Sequence, residues 1–137
     1  MKNKILIISS EFPPGPGGIG SHAFNLSNGL SKRGYEMIIN TKSDYADKYQ
    51  EDLFDIKFSY KIIRFRRKKT SIQNWIHRLK IIRRTILKYD IKHVIITGEF
   101  SIWVIPLIKI NRVENITTII HGTELGKNLF LKWTFFC

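Results

Sequence analysis

Two short segments hold the residues best suited to chemistry. The first is Pro13-Pro14-Gly15-Pro16-Gly17-Gly18-Ile19-Gly20. Gly17 and Gly18 let a backbone approach a ligand with no Cβ in the way, and unpaired N–H groups at the start of a following helix hold phosphate. The second is His121-Gly122-Thr123-Glu124. An imidazole there can hydrogen-bond a hydroxyl or carbonyl, or act as a base near neutral pH, and Glu124 can accept from hydroxyls. Both segments also have plain readings, a rigid turn for the glycines and a packed histidine followed by a turn. His22 lies beside the glycine loop, either reaching a ligand or facing solvent. Glu99 is a further rim candidate, or a local cap for the next helix.

Several chemistries are excluded or disfavoured. No Gly-Lys-Ser or Gly-Lys-Thr follows the glycines, so the loop is not a P-loop. Gly15, Gly17 and Gly20 fit Gly-x-Gly-x-x-Gly, but the flanking prolines lengthen the turn. Asn40, not an acid, closes the next strand candidate, where a dinucleotide site wants a carboxylate. The one cysteine, Cys137, rules out an internal disulfide framework. Histidines and acids are not clustered, so no metal site is expected.

These loops need elements to position them. Residues 4–9 and 93–97 are short apolar runs that read as strands covered on both faces. Residues 35–40, 61–65 and 117–121 are further strand candidates. Residues 41–53 read as a loop or short helix, and 54–60 as a weakly alternating segment. A helix is expected from about Ser21 to Arg33, stopped by Gly34. Ile72, Trp75, Ile76, Leu79, Ile82 and Ile86 recur at helical spacing and predict a helix over 71–88, capped by Ser71 or Thr70, with Arg78, Arg84 and Lys88 off the apolar stripe. A helix over 101–110 is expected to break at Pro106. Strand, helix and strand recur, so the expected fold is α/β, a three-layer Rossmann-like sandwich with a mainly parallel sheet. An antiparallel hairpin over 54–65 is the competing arrangement.

The 137 residues carry a formal charge of +12, and 43% are hydrophobic, which suits one globular domain. Residues 61–92 hold twelve Lys and Arg against Asp90 alone, so this window carries +11 of the total. Such a local excess asks for a local anionic partner. Clustered cations around Trp75 keep a nucleic-acid module open as a minor reading, though no zinc-finger or paired-aromatic RNA motif accompanies them. The opening segment is too short and too soon interrupted by Glu11 and prolines for an export signal, and no run reaches the ~18 apolar residues that span a bilayer. A cytoplasmic location is expected; the basic window reads either as a solvated face or as a surface for attachment to membrane.

Residues 4–9 (Lys-Ile-Leu-Ile-Ile-Ser), Phe12-Pro-Pro, Gly17-Gly-Ile-Gly and Leu26-x-x-x-Leu30-x-x-Arg33-Gly-Tyr-Glu36 together resemble family 4 retaining glycosyltransferases, as does His121-Gly-Thr-Glu-Leu125 in order and placement. The resemblance implies two Rossmann-type domains facing one cleft, the first binding acceptor and the second holding most of a nucleotide-sugar donor. This chain is expected to be part of the first over 1–137, without the donor-binding domain, and to be inactive alone. By resemblance, Gly17 and Gly18 lie beside the donor diphosphate and acceptor, His121 hydrogen-bonds the transferred sugar, and Glu99 and Glu124 lie toward the acceptor. Thr97-Gly98-Glu99 stands where a histidine is usual. The resemblance implies no covalent nucleophile, no cofactor beyond the nucleotide-sugar substrate, and a glycan or lipid-linked acceptor. It also gives the basic window a use. Trp75 with Arg66, Arg67, Lys68, Lys69 and Arg84 would meet anionic lipid at the inner membrane face. The apolar cluster Leu129, Phe130, Leu131, Trp133, Phe135 and Phe136 is expected to seek another packing surface.

Overall fold

The computed structural model describes residues 3–43, 46–66, 68–98, 105, 108 and 112–121. In chain order the elements are β1 (Lys4–Ser9), α1 (Gly18–Lys32), β2 (Glu36–Ser43), α2 (Lys48–Asp55), β3 (Lys61–Arg66), α3 (Ser71–Tyr89), β4 (His93–Thr97) and β5 (Asn115–Ile119). The strands form one sheet in the order β3-β2-β1-β4-β5. Every pairing is parallel. This is the expected Rossmann-like α/β architecture, and the hairpin over 54–65 does not form.

Strand β1 is central and pairs on both edges. Ile5 to Ser9 register with His93 to Thr97, and Lys4 to Ile8 with Glu36 to Asn40. Its apolar run has no polar face because both faces are covered. Ile5 and Ile7 join Met37, Ile39, Phe12 and Ala23 beneath α1, with Phe24, Phe54, Phe58 and Tyr60. Leu6 and Ile8 join Ile38, Val94 and Ile96 beneath Ile82 and Ile86 of α3. The two-residue period of a strand thus divides one sequence between two cores.

Local chemistry sets the helix ends. Gly34 takes φ +91°, Tyr35 N–H donates to the Leu30 carbonyl, and Gly34 N–H to that of Ser31, closing α1 as a glycine C-cap should. Thr70, not Ser71, caps α3: its Oγ1 accepts from Gln73 N–H at 3.2 Å. Asp90 ends the helix in the left-handed region at φ 50°.

Four expectations change. Helix α1 starts at Gly18, earlier than Ser21, because Gly17 turns the chain at φ +125°. The segment expected to alternate over 54–60 is the end of α2 and a turn, since Asp47 Oδ1 accepts from Gln50 N–H at 2.8 Å and starts a helix. Ile72 and Ile76, placed on the apolar stripe, are exposed by 73% and 49%. The line that packs runs through Trp75, Arg78, Leu79, Ile82, Thr85 and Ile86, and at 3.6 residues per turn Ile72 and Ile76 fall to one side of it, with exposed Leu87. Arg78, expected off the stripe, is buried; its Nη2 donates to the Ser9 carbonyl at 3.3 Å and its guanidinium lies over Phe65. Of the helix expected over 101–110, Ile105 and Ile108 are described; both are helical and pack on the α3-side core.

Candidate functional site

In a parallel sheet, neighbouring strands whose connections leave in opposite directions open a crevice at their C-terminal ends. Here that point lies between β1 and β4, the two neighbours joined by no direct crossover. The loop after β1 and the residues after β4 therefore meet by topology. Ser10 N–H donates to the Thr97 carbonyl at 3.3 Å, extending the ladder past the strand end. Gly98, at φ +96°, has no room for a Cβ. One would collide with Ser10 Oγ and lie 3.5 Å from Ile19 Cγ2 of the first turn of α1.

The glycines of the β1–α1 loop have different surroundings. A Cβ on Gly20 would press on the Phe12 backbone nitrogen at 3.2 Å, so Gly20 serves close packing. One on Gly17 would collide with the Glu11 carboxylate. Gly18 has nothing within 4 Å of a Cβ position, so the start of α1 is open to an approaching group. No acidic residue lies within the first turn of α1, but the Glu11 carboxylate sits against Gly17, the N-cap, and supplies a counter-charge to the helix's partial positive end. The Pro13–Pro14 bond is cis.

The loop is held from below. Arg64 of β3 donates through Nε and Nη2 to both oxygens of Asp55, at 2.9 and 2.7 Å. The same Nη2 donates to the Pro13 carbonyl at 2.5 Å. Glu51 lies 3.8 Å from Nη1 and accepts from Ser43 Oγ. A rigid guanidinium fork thus ties β3, α2 and the proline end of the loop together.

His121 arrives from the other side of the crevice, just past β5. Its Nε2 lies 2.7 Å from Thr97 Oγ1, and its ring meets that of His22 edge to face, centroids 5.4 Å apart. His22 is exposed on α1, while His121 is half-buried. The arrangement offers a helix N-terminus open at Gly18 and faced by the Glu11 carboxylate at Gly17, with an imidazole nearby suited to a hydroxyl or carbonyl oxygen.

Gly17, Gly18, His22 and His121 therefore gather at one rim. Glu99 and Glu124 lie outside the described residues, as do Arg67 and the apolar cluster over 129–136. Arg66, Lys68, Lys69 and Arg84 are exposed, away from the histidines' contacts. Among the described residues no three His, Cys, Asp or Glu converge as a cation site, and no helix is long and apolar enough to cross a membrane. Sequence reasoning missed four residues at this rim. Thr97 read as a strand end, Glu11 as the stop of an apolar run, Arg64 as one charge among twelve, and Arg78 as solvated. Only Thr97 carried a signal, a hydroxyl closing a strand that ends at the crevice.

The sequence model described as Glycosyltransferase Family 4 matches residues 16–136. The crystal structure of LpCGTa in complex with UDP shares 10% identity with this chain at a TM-score of 0.55, covering 86% of this chain and 30% of that one. That likeness is one of fold. This chain spans about a third of the length of that solved protein. No curated protein matches it.

Proposed function

Since this chain belongs to glycosyltransferase family 4, we propose that it forms the acceptor-side half of a retaining sugar transferase, moving a glycosyl group from a nucleotide-sugar donor to a glycan or lipid-linked acceptor. In that reaction the bond from the anomeric carbon to the donor diphosphate breaks. A bond from the same carbon to an acceptor oxygen forms, and the acceptor's proton passes to the departing phosphate. The chemistry asks for a group that steadies the growing phosphate charge and one that holds the sugar. The start of α1 at Gly17 and Gly18 is proposed for the first role, with the phosphate taking the place of the Glu11 carboxylate beside Gly17. His121 suits the second, with His22 beside it. Glu99 and Glu124 are proposed to face the acceptor.

The observation that carries this reading is the meeting of the two loops across the β1–β4 crevice, through the His22–His121 contact. One wall of a cleft loses positioning and electrostatic stabilisation together. The 137 residues are therefore proposed to bind without turning over, the donor-binding wall being supplied by a further domain. UDP-sugars are the first donors to try, given the UDP in the LpCGTa structure.

Calorimetry with UDP-sugars, other nucleotide sugars, NAD and ATP tests this, with His22 and His121 ring signals followed by NMR. A nucleotide sugar or glycan acceptor should shift both histidines. Tight NAD binding with no response to any nucleotide sugar would overturn the reading, and multiple turnover by these residues alone would overturn its half-site part.

The outer side of α3 favours a second proposal, attachment to an anionic membrane face in the cytoplasm. The helix contains no acid, and Ile72, Ile76 and Leu87 stand exposed among Lys80, Arg83 and Arg84. Trp75 packs against the core, as its place on the apolar stripe allows, so the isoleucines rather than Trp75 serve as the apolar anchor. Sedimentation with anionic but not neutral vesicles supports this; retention by DNA or RNA at ~50 mM salt without vesicle binding overturns it.

A further inference from the structure

We propose that Thr97 is a positioning residue that fixes the tautomer of His121, making its Nε2 an acceptor and placing the ring proton on Nδ1. The inference rests on the sugar-transfer reading for its consequence, not for its geometry. Thr97 closes β4 and is 1% exposed, so its hydroxyl has no bulk water to donate to. A buried hydroxyl needs an acceptor for its single proton. The acceptor placed at 2.7 Å from Oγ1 is His121 Nε2. If the hydroxyl gives its proton there, Nε2 carries a lone pair and Nδ1 carries the hydrogen. The partner of one ring nitrogen thereby decides what the other can do.

Three further features make the assignment rigid. As a β-branched residue in a strand, Thr97 has a restricted χ1, which keeps its hydroxyl aimed. Its backbone is clamped on both sides, by the register with Ser9 and by pairing with Ile119. The His22 ring meets the His121 ring edge to face, which opposes tilting. The consequence is specific. His121 acts toward a ligand as a hydrogen-bond donor through Nδ1, suited to a sugar oxygen, and Nε2 is not available as a base.

The test needs no ligand. In 15N-labelled full chain at a pH where imidazoles are neutral, about 8.5, the ring nitrogens of His121 report which of them is protonated. The expected result is an acceptor-type Nε2 and a protonated Nδ1. Thr97→Val keeps the shape and removes the hydroxyl, and should move most of the population to the Nε2–H form. Thr97→Ser restores the hydroxyl and should restore the original pattern, with the backbone amide spectrum verifying that each variant is folded. A protonated Nε2 in the parent chain, or an unchanged pattern in folded Thr97→Val, would overturn the proposal. A UDP-glucose titration of the parent chain, followed at the same signals, separates the two questions: silence there with the expected tautomer refutes the sugar-site reading and leaves the Thr97 assignment standing.

Discussion

The two ends of the sheet use the same charged residue types to opposite effect. At the C-terminal rim, the Arg64 side chain is 9% exposed and its neighbour Glu51 5%. The fork there joins β3, α2 and the loop that opens the site. At the N-terminal edge, Lys92 pairs with Glu114 at 2.6 Å and Arg112 with Asp90 at 3.2 Å, all four more than half exposed. The mutual hydrogen bond holds Glu114 below and Lys92 above their ordinary ranges, yet water and salt screen both partners. Short distance alone therefore says little about a pair. What separates the two ends is desolvation, and it is greater where the loops of the site are anchored.

The most severe way to break this contrast is to remove the rim cation. Arg64→Met strands a buried Glu51 and a half-buried Asp55 without their cation, and should cost about 3–5 kcal/mol of unfolding free energy. Urea denaturation measures it, and adding Glu51→Gln and Asp55→Asn should recover a substantial part. The same change should speed amide exchange over residues 13–20, because the Pro13 carbonyl loses its donor.

Tyr60, on the α1 side of the sheet, sharpens the point with pH. Burial, with a smaller contribution from the Asp55 charge, pushes its phenol up from 10.0 to about 12. The unfolded chain releases this proton first, so the stabilisation is complete below about pH 10 and is lost as pH rises toward 12. The loss amounts to about 2–3 kcal/mol across the window. Comparing urea midpoints of the parent and Tyr60→Phe at about pH 9 and pH 11.5 should show a flatter dependence in the variant. A smaller cost at neutral pH should accompany it, from the lost hydrogen bond to Asn28 Oδ1.

Gly98→Ala tests the close approach beneath the crevice. The left-handed φ and the collision with Ser10 should cost about 1–2 kcal/mol. The variant should also disturb the His121 ring signals, since Thr97 precedes the altered residue. The smallest effect belongs to the exposed edge. Glu114→Gln should leave the urea midpoint unchanged within error in moderate salt; a clear drop would show that exposure does not divide the two ends.

Much of the architecture was legible because burial on both faces leaves a plain mark. Residues 4–9 and 93–97 are apolar without alternation, and both are strands as expected. The α2 segment was misread because Phe54, Phe58 and Tyr60 suggest a strand pattern, although the first two are four apart and meet as helical neighbours do. Periodicity put Ile72 and Ile76 on the buried stripe, but the stripe that packs is turned toward Arg78 and Thr85, which leaves the two isoleucines at its edge and beyond. The glycine loop and His121 were legible as types of residue at strand ends. Arg64 and Arg78 were not, because composition counts charge while burial depends on what folds over it. Nor could spacing reveal the pairing of His22 with His121, since it arises from strand order, which brings β4 beside β1 and β5 beside β4.

The central place of β1 has a consequence for how the chain acquires its shape. It is translated before the other four strands, yet its second edge stays unpaired until His93 to Thr97 have left the ribosome. Closing so long a loop delays that pairing, and a parallel partner is available no earlier. In the interval Leu6 and Ile8 have one neighbour strand and no α3 over them. Conditions that slow synthesis between β2 and β4 should therefore favour capture by chaperones or self-association.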